Sequence, residues 1–135
     1  MALQLSTTVR NALLDAIETA IGTSAILKIF QGTQPANCAA ADAGTVLATC
    51  ALPSDYLAAA SGGTKSKSGT WEDTSADATG TAGHFRIYAS DGTTCHAQGT
   101  ITATGGGGDM TLDNTSIATG QAVSITSFTL TAGNS

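Results

Sequence analysis

The side chains that most often carry catalysis or metal binding are few in this chain, and they are badly spaced for either. The chain contains two histidines and three cysteines. Cys95 and His96 are neighbours in a predicted strand, so their side chains should point to opposite faces of a sheet. No CxxC or HxxxH spacing occurs that would bring transition-metal ligands together. These residues therefore give no support for a metal centre.

Other chemical motifs are equally weak. Nucleophilic catalysis on an α/β-hydrolase elbow needs G-x-S-x-G, which is absent, and only His84 and His96 could serve as a base. Glu72 and Asp73, the candidate carboxylate pair, are neighbours in a predicted strand and point apart. The glycine run that ends at Asp109 lacks the lysine of a phosphate-binding loop. We therefore expect no enzyme, no catalytic residue and no cofactor.

The composition indicates a surface that lies against other protein. Charged residues make up 11% of the chain, against about 25% in an ordinary globular protein. The net charge is −5, and the five cations are scattered, so no basic face for nucleic acid is predicted. The N-terminus shows no signal-peptide pattern, and no apolar stretch is long enough to span a membrane. We expect neither a nucleic-acid nor a membrane partner.

The cysteines indicate folding in a reducing compartment. Their number is odd and their spacing is wide, whereas disulfide scaffolds carry a dense, even set. Cys38 and Cys50 could pair across a hairpin, and the sequence leaves that possibility open. We favour reduced thiols and folding in the cytosol.

The elements that must position these residues begin with one helix at 6–21. Ser6 or Thr7 can cap its start, and Gly22 can end it in the left-handed conformation. Alanines lie beside its apolar stripe, so the helix should pack closely on a sheet or on a neighbouring subunit. The stripe recurs every four residues at Val9, Leu13, Ile17 and Ile21.

From residue 24 onward the pattern is that of strands. Short alternating or apolar runs are separated by Gly, Asp and Asn turns, and Asp91-Gly92 is the strongest hairpin signal. We predict a single domain over 1–135, mostly β, with six to eight strands in a body at 24–135. The number and spacing of the strands fit a sandwich, jelly roll or small barrel, and we favour a jelly roll or β-sandwich. A helix that precedes all the strands argues against a doubly wound α/β fold.

The last strand changes phase halfway along. Val123 and Ile125 are apolar at odd positions, whereas Phe128 and Leu130 are apolar at even positions. One regular strand cannot place all four on the same face, because side chains alternate with a period of two. We therefore predict a bulge near Ser127, which moves the second half to another part of the core or to a neighbouring subunit.

Several residues are candidates for a partner interface. Lys65 and Lys67 fall in a Gly/Ser-rich segment, 61–69, that is predicted to be a flexible loop, where the two cations are solvated or pair with acidic groups on a partner. Trp71 is predicted to face inward as a core or interface residue. The predicted interface set is Val9, Leu13, Lys65, Lys67, Trp71, Phe128 and Leu130.

Three segments resemble small virion proteins of tailed bacteriophages. They are the opening LSTTVRNALLDAIETAIGTSAILKIF, the middle GHFRIYASDGTTCHAQGTIT and the end VSITSFTLTAGN. Within that group the chain is most similar to a capsid cement, or decoration, protein. The resemblance implies no catalytic residues.

The resemblance implies an oligomer, a dimer or trimer, on the capsid surface of the virion, made in the host cytoplasm. Its partners would be the major capsid protein or other virion proteins. One alternative is a tail-tube, neck or baseplate component. Another, from a different class, is a carbohydrate-binding or hydrolytic module of a tail spike, in which Trp71 would stack on a sugar.

Overall fold

The computed structural model describes residues 3–133. In those residues one helix, α1 (Thr7–Ile21), precedes ten short strands. The strands are β1 (Ile26–Gln31), β2 (Val46–Ala51), β3 (Thr64–Ser66), β4 (Trp71–Asp73), β5 (Gly80–Tyr88), β6 (Cys95–Ala103), β7 (Met110–Leu112), β8 (Ser116–Ile117), β9 (Val123–Ile125) and β10 (Thr129–Thr131). A mostly β fold with an N-terminal helix is confirmed, but the strands are shorter and more numerous than predicted.

The ends of α1 are set by the residues that the sequence indicates. The Ser6 hydroxyl accepts a hydrogen bond from the Val9 N–H at 3.2 Å, which satisfies one of the unpaired donors of the first turn. Gly22 ends the helix as predicted, and its N–H donates to the Glu18 carbonyl. Its φ of +86° is positive, but its ψ of −178° lies outside the left-handed helical conformation that the sequence predicts. This helix is too short and too little apolar to cross a membrane, and residues 3–133 contain no other.

The largest sheet is six-stranded and curls into half a barrel. Its strand order is β2-β1-β5-β6-β7, with β8 paired to the start of β5. β1 lies between β2 and β5, and its Leu27, Ile29 and Phe30 are fully buried. The β6–β7 pair is parallel and all other pairs are antiparallel, so the sheet is mixed.

The hairpin predicted at Asp91-Gly92 joins β5 to β6. Asp91 accepts hydrogen bonds from the N–H groups of Thr93 and Thr94 at 2.9 Å, and Gly92 has φ +71°. Hydrogen bonds from Thr94 and Thr93 lower the pKa of the Asp91 carboxyl, which is therefore ionised at neutral pH. Asp-Gly thus supplies both the acceptor and the backbone freedom that this turn requires.

Two small sheets, β3–β10 and β4–β9, complete the architecture. Together with α1 they share one apolar core with the inner face of the half-barrel, where Ile21, Trp71, Phe85 and Ile125 belong to the same buried cluster. This arrangement of one curled mixed sheet and two hairpin-like pairs is not clearly a jelly roll.

The phase change in the last strand is confirmed, and it takes the form of a break rather than a bulge. Residues 126–128 belong to no strand, and the chain changes partners there: β9 pairs with β4, whereas β10 pairs with β3. Val123, Ile125 and Phe128 are all buried, and Leu130 packs against the same core. The interruption lets the even and odd apolar residues face one core from two different sheets.

Candidate functional site

The most exposed apolar surface on the ordered elements lies on α1. Leu13 is 52% exposed and Val9 is 45% exposed, although both belong to the stripe that is predicted to pack. The helix instead turns Leu14 and Ile21 into the core, and the neighbouring alanines face solvent with Val9 and Leu13. We call this surface the α1 face, which consists of Val9, Ala12, Leu13, Ala16 and Ala20.

Lys65 explains why α1 is turned in this way. It lies in β3 rather than in a flexible loop, is only 2% exposed, and its Nζ contacts Asp15 at 2.7 Å and Glu18 at 3.0 Å. Burial lowers the pKa of Lys65, but the hydrogen bonds from its ammonium to Asp15 and Glu18 outweigh that effect and raise it. The prediction that Lys65 is solvated or pairs with a partner is therefore wrong, because its acidic partners are on α1.

Two other residues of the predicted interface set also make their contacts within the chain. Lys67 is half-buried, donates to the Gly69 carbonyl at 2.7 Å and lies 5.8 Å from the Trp71 ring centre. Trp71 is fully buried, and its indole N–H lies 3.2 Å from the Tyr56 carbonyl and 3.1 Å from the Ser68 carbonyl. Trp71 therefore offers no surface for a partner or a sugar in this structure, and its inward orientation is confirmed.

Phe128 is likewise a core residue. Its ring lies 5.6 Å from the Trp71 ring and 5.5 Å from the Phe85 ring, which are normal packing distances for aromatic pairs. Leu130 is half-buried beside it. Of the predicted interface set, Val9 and Leu13 are exposed, Leu130 and Lys67 are accessible in part, and Lys65, Trp71 and Phe128 are buried.

Leu130 also lines a groove of about 590 Å³ between α1, β10 and the start of β6. The apolar floor comes from α1, β5 and the 126–128 break, and polar groups of β6 and the β6–β7 loop stand at its rim. The sequence gives no local signal for this groove, because its walls come from segments about 100 residues apart. Its lining includes Ile17, Phe85, Gln98, Asp109, Thr129 and Thr131. We call this feature the β6–β10 groove.

The opposite, outer face of the six-stranded sheet is covered by the long connection between β1 and β2, residues 32–45. Arg86 of β5 is 1% exposed and forms an ion pair with Asp42 of that connection. Its guanidinium also donates to the carbonyl groups of Asn37, Cys38 and Ala40 at 3.0–3.2 Å. Arg86 thus holds the connection against the sheet. The sequence shows Arg86 only as one of five scattered cations and does not indicate this role.

The cysteines are all free thiols in the structure. Cys50 lies in the core on the inner face of the sheet, whereas Cys38 lies in the 32–45 connection on the outer face, so these two are not paired. Burial, with a smaller effect from nearby carboxylates, raises the pKa of Cys50 to about 12. Burial and a hydrogen bond with Cys38 raise that of Cys95 to about 11. Both thiols are therefore protonated and poor nucleophiles at neutral pH.

The other side chains that were considered for catalysis or metal binding do not come together in the structure. His84 stacks on Phe30 at 4.9 Å, and its Nδ1 contacts the Gly32 carbonyl at 2.8 Å on the outer face, whereas His96 is exposed at the groove. Asp109 accepts hydrogen bonds from Thr100. No group of three or more His, Cys, Asp or Glu side chains within residues 3–133 could hold a metal ion.

Comparison with known proteins adds no relative. No family model matches the chain, and neither a curated protein nor a solved structure is significantly similar to it. The function proposed below therefore draws on the residues and geometry of the chain and on the resemblance of its segments to phage virion proteins.

Proposed function

We propose that this chain is a structural protein of a tailed-phage virion, and specifically a cement protein that binds and stabilises the capsid shell. The observation that carries the proposal is the α1 face, an uncharged apolar surface on an otherwise well-packed molecule. The resemblance of three segments to small phage virion proteins supplies the biological setting. The major capsid protein is the proposed partner.

The α1 face has the chemistry that a protein partner needs. It carries no charged side chain, so its burial leaves no unpaired charge behind. Burying a fully exposed Val or Leu side chain contributes about 1.5–3 kcal/mol, and Val9 and Leu13 still expose about half of theirs. The alanines add little area but let a neighbouring backbone approach closely.

A modest contact of this kind is sufficient on a symmetric shell. Each copy contributes the same weak interaction, and an oligomer that engages several shell subunits at once multiplies it. We therefore propose that the chain works as a dimer or trimer on the capsid surface, after folding in the host cytoplasm with its thiols reduced. Low surface charge favours such protein contacts over binding to nucleic acid.

The finer fold assignment belongs to the same proposal. We propose that the three sheets form a distorted sandwich or jelly roll, in which β3–β10 and β4–β9 play the part of the second layer. The shared buried cluster supports this assignment, since residues of both small sheets pack on the inner face of the half-barrel.

The test uses capsid shells that lack this protein. Purified wild-type chain should bind them in stoichiometric amounts and raise their disruption temperature. Leu13→Asp places a charge in the α1 face and should weaken binding about tenfold or more, because a buried unpaired carboxylate costs several kcal/mol. Thr8→Asp adds the same charge at an exposed position outside that face and is the matched control.

Binding that Leu13→Asp and Thr8→Asp affect equally would contradict a role for the α1 face. Binding to purified tails rather than shells would favour the tail-tube, neck or baseplate alternative. The carbohydrate-binding alternative loses its stacking residue in this structure, because Trp71 is buried.

A further inference from the structure

We propose that Cys38 and Cys95 form an intrachain disulfide when the folded protein meets an oxidising disulfide such as glutathione disulfide, and that this bond locks the 32–45 connection to the start of β6. Such a bond goes beyond the proposed virion role and does not depend on it. Both cysteines lie at the outer face of the six-stranded sheet.

The strand register brings the Cys95 side chain to that face. Ala97 of β6 lies opposite Ile87, but a register shift then places Cys95 opposite Tyr88. The Tyr88 hydroxyl bonds to the 32–45 connection, so this side chain is on the outer face. Residues directly opposite each other in an antiparallel pair share a face, and Cys95 therefore points toward the connection. A regular strand would instead turn Cys95 to the core side, where Ala97 packs.

Cys38 is held at the same place by the backbone of the connection. Its carbonyl accepts a hydrogen bond from the Arg86 guanidinium at 3.0 Å. The Asn37 side chain accepts hydrogen bonds from the N–H groups of Ala39 and Ala40, both at 3.0 Å, which closes a tight turn around Cys38. Cys38 is therefore fixed over the sheet rather than carried on a free loop.

The two thiols interact with each other. Burial is the main reason why the pKa of Cys95 is raised to about 11, and a hydrogen bond with Cys38 is the second. The Arg86 guanidinium partly offsets this rise, so it adjoins the Cys95 sulfur as well as the Cys38 carbonyl. Neighbouring thiols on two fixed segments can be joined without a large backbone movement, which is the geometric condition for a disulfide.

Partial exposure gives a small oxidant access to this pair. Cys38 and Cys95 are both half-buried, whereas Cys50 is fully buried in the core on the other side of the sheet. A reducing cytosol keeps all three thiols reduced, and an oxidising medium does not. The pair should therefore react after the protein leaves the cytosol, while Cys50 stays reduced.

The reaction balances with glutathione disulfide as the oxidant. The Cys38 thiolate attacks one of its sulfurs, which forms a mixed disulfide and releases one glutathione thiolate. The Cys95 thiolate then attacks Cys38 Sγ and displaces the second glutathione. The two cysteine thiols lose two protons and two electrons, and glutathione disulfide becomes two glutathione molecules. Because Cys95 is mostly protonated at neutral pH, the reaction should become faster as pH rises above about 7.

The bond should stabilise the fold because it joins distant parts of the chain. It closes the loop from residue 38 to residue 95, and the entropy that it removes from the unfolded chain grows with loop length. A crosslink of this kind should raise Tm by about 5–15 °C in a domain of this size. It also fixes the 32–45 connection, which belongs to no helix or strand.

The test treats the purified, fully reduced chain with glutathione disulfide. Titration of thiols in denaturant should show that the free thiols fall from three to one. Mass spectrometry of a non-reducing digest should find Cys38 joined to Cys95. Tm should rise by about 5–15 °C and return to its first value on reduction with dithiothreitol. Cys38→Ser and Cys95→Ser should each lose the crosslink and the gain in Tm, whereas Cys50→Ala, the matched control, should keep both.

Three free thiols after treatment, or glutathione that stays bound to the wild type as a mixed disulfide, would overturn the inference. A crosslink that joins two chains, or one that forms only when the chain is unfolded in urea, would also overturn it. A Cys38–Cys95 bond that leaves Tm unchanged or lower would contradict the locking of the connection.

Discussion

At the scale of single residues, the ionisation of the Asp42 carboxyl makes the stability of the folded state depend on pH. Partial burial raises its pKa, but hydrogen bonds from Tyr88 and Arg86 outweigh that effect and hold the pKa below the ordinary value of 3.8. The folded state therefore binds this proton less readily than the unfolded chain. The stabilisation is fully present above about pH 4 and is lost as pH falls through the folded-state pKa.

The lowered pKa of Asp42 gives a prediction for the variant Asp42→Asn. The stability advantage of the wild type over the variant should be largest near neutral pH, and it should shrink as pH falls below about 4. Urea midpoints measured between pH 2 and pH 7 on both proteins test it. Asp55→Asn, at an exposed position, is the matched control and should differ little from the wild type throughout. An advantage that does not change with pH would show that Asp42 contributes no charge-dependent stability.

At the scale of elements, Arg86 makes more hydrogen bonds to the 32–45 connection than His84, Tyr88 and Gln98, which also bond to it. Arg86 supplies the ion pair with Asp42 and hydrogen bonds to three carbonyl groups, all from a nearly inaccessible position. Removing it leaves those acceptors without their donor beneath the connection. The Asp42 side chain is 43% exposed and keeps its hydrogen bond from Tyr88, so water can solvate the carboxylate that remains. The main cost comes from the carbonyl groups that lose their donor, and Arg86→Ala should lower the free energy of unfolding by about 2–3 kcal/mol.

Urea unfolding measures the effect, and Lys67→Ala, which removes a half-buried cation, should cost about 1 kcal/mol or less. Amide exchange should also become faster in residues 32–45 of Arg86→Ala before it does in β1 and β5. A loss of stability no larger than that of Lys67→Ala would contradict the role assigned to Arg86.

Elements defined by local patterns were predictable from the sequence, whereas those defined by distant partners were not. The helix α1 begins after Ser6 and ends before Gly22, and Asp91-Gly92 forms the predicted hairpin. Both features depend on a few adjacent residues, as caps and tight turns do. The sequence does not predict β3, because a lysine such as Lys65 is usually exposed to solvent and favours a loop. Its burial depends on two carboxylates of α1, about 50 residues away.

The residues of the candidate site show the same difference between what local sequence predicts and what depends on distant partners. Val9 and Leu13 could be identified because large apolar residues on a short helix are visible in the sequence, although their exposure depends on how Lys65 turns α1. Trp71 and Phe128 were assigned to the interface for their apolar character, but that character equally suits the core they occupy. The β6–β10 groove had no sequence signal, since strand pairing alone decides which edges remain open.

At the scale of the whole molecule, the chain combines a well-filled core with two surfaces that suit other protein. The α1 face is apolar and uncharged, and the β6–β10 groove lies beside it, with Ile17 of the same helix in its wall. Both surfaces suit contacts with other protein, which is consistent with the proposed role in assembly.

The most direct test of the proposed cement role is quantitative mass spectrometry of purified virions of any tailed phage whose genome encodes this sequence, together with an electron-microscopy map of the particle. The account predicts hundreds of copies per particle, located on the outer surface of the head. Six copies or a few dozen, at the neck or baseplate, would contradict the cement role. Complete absence of the chain from the virion would contradict a structural role of any kind.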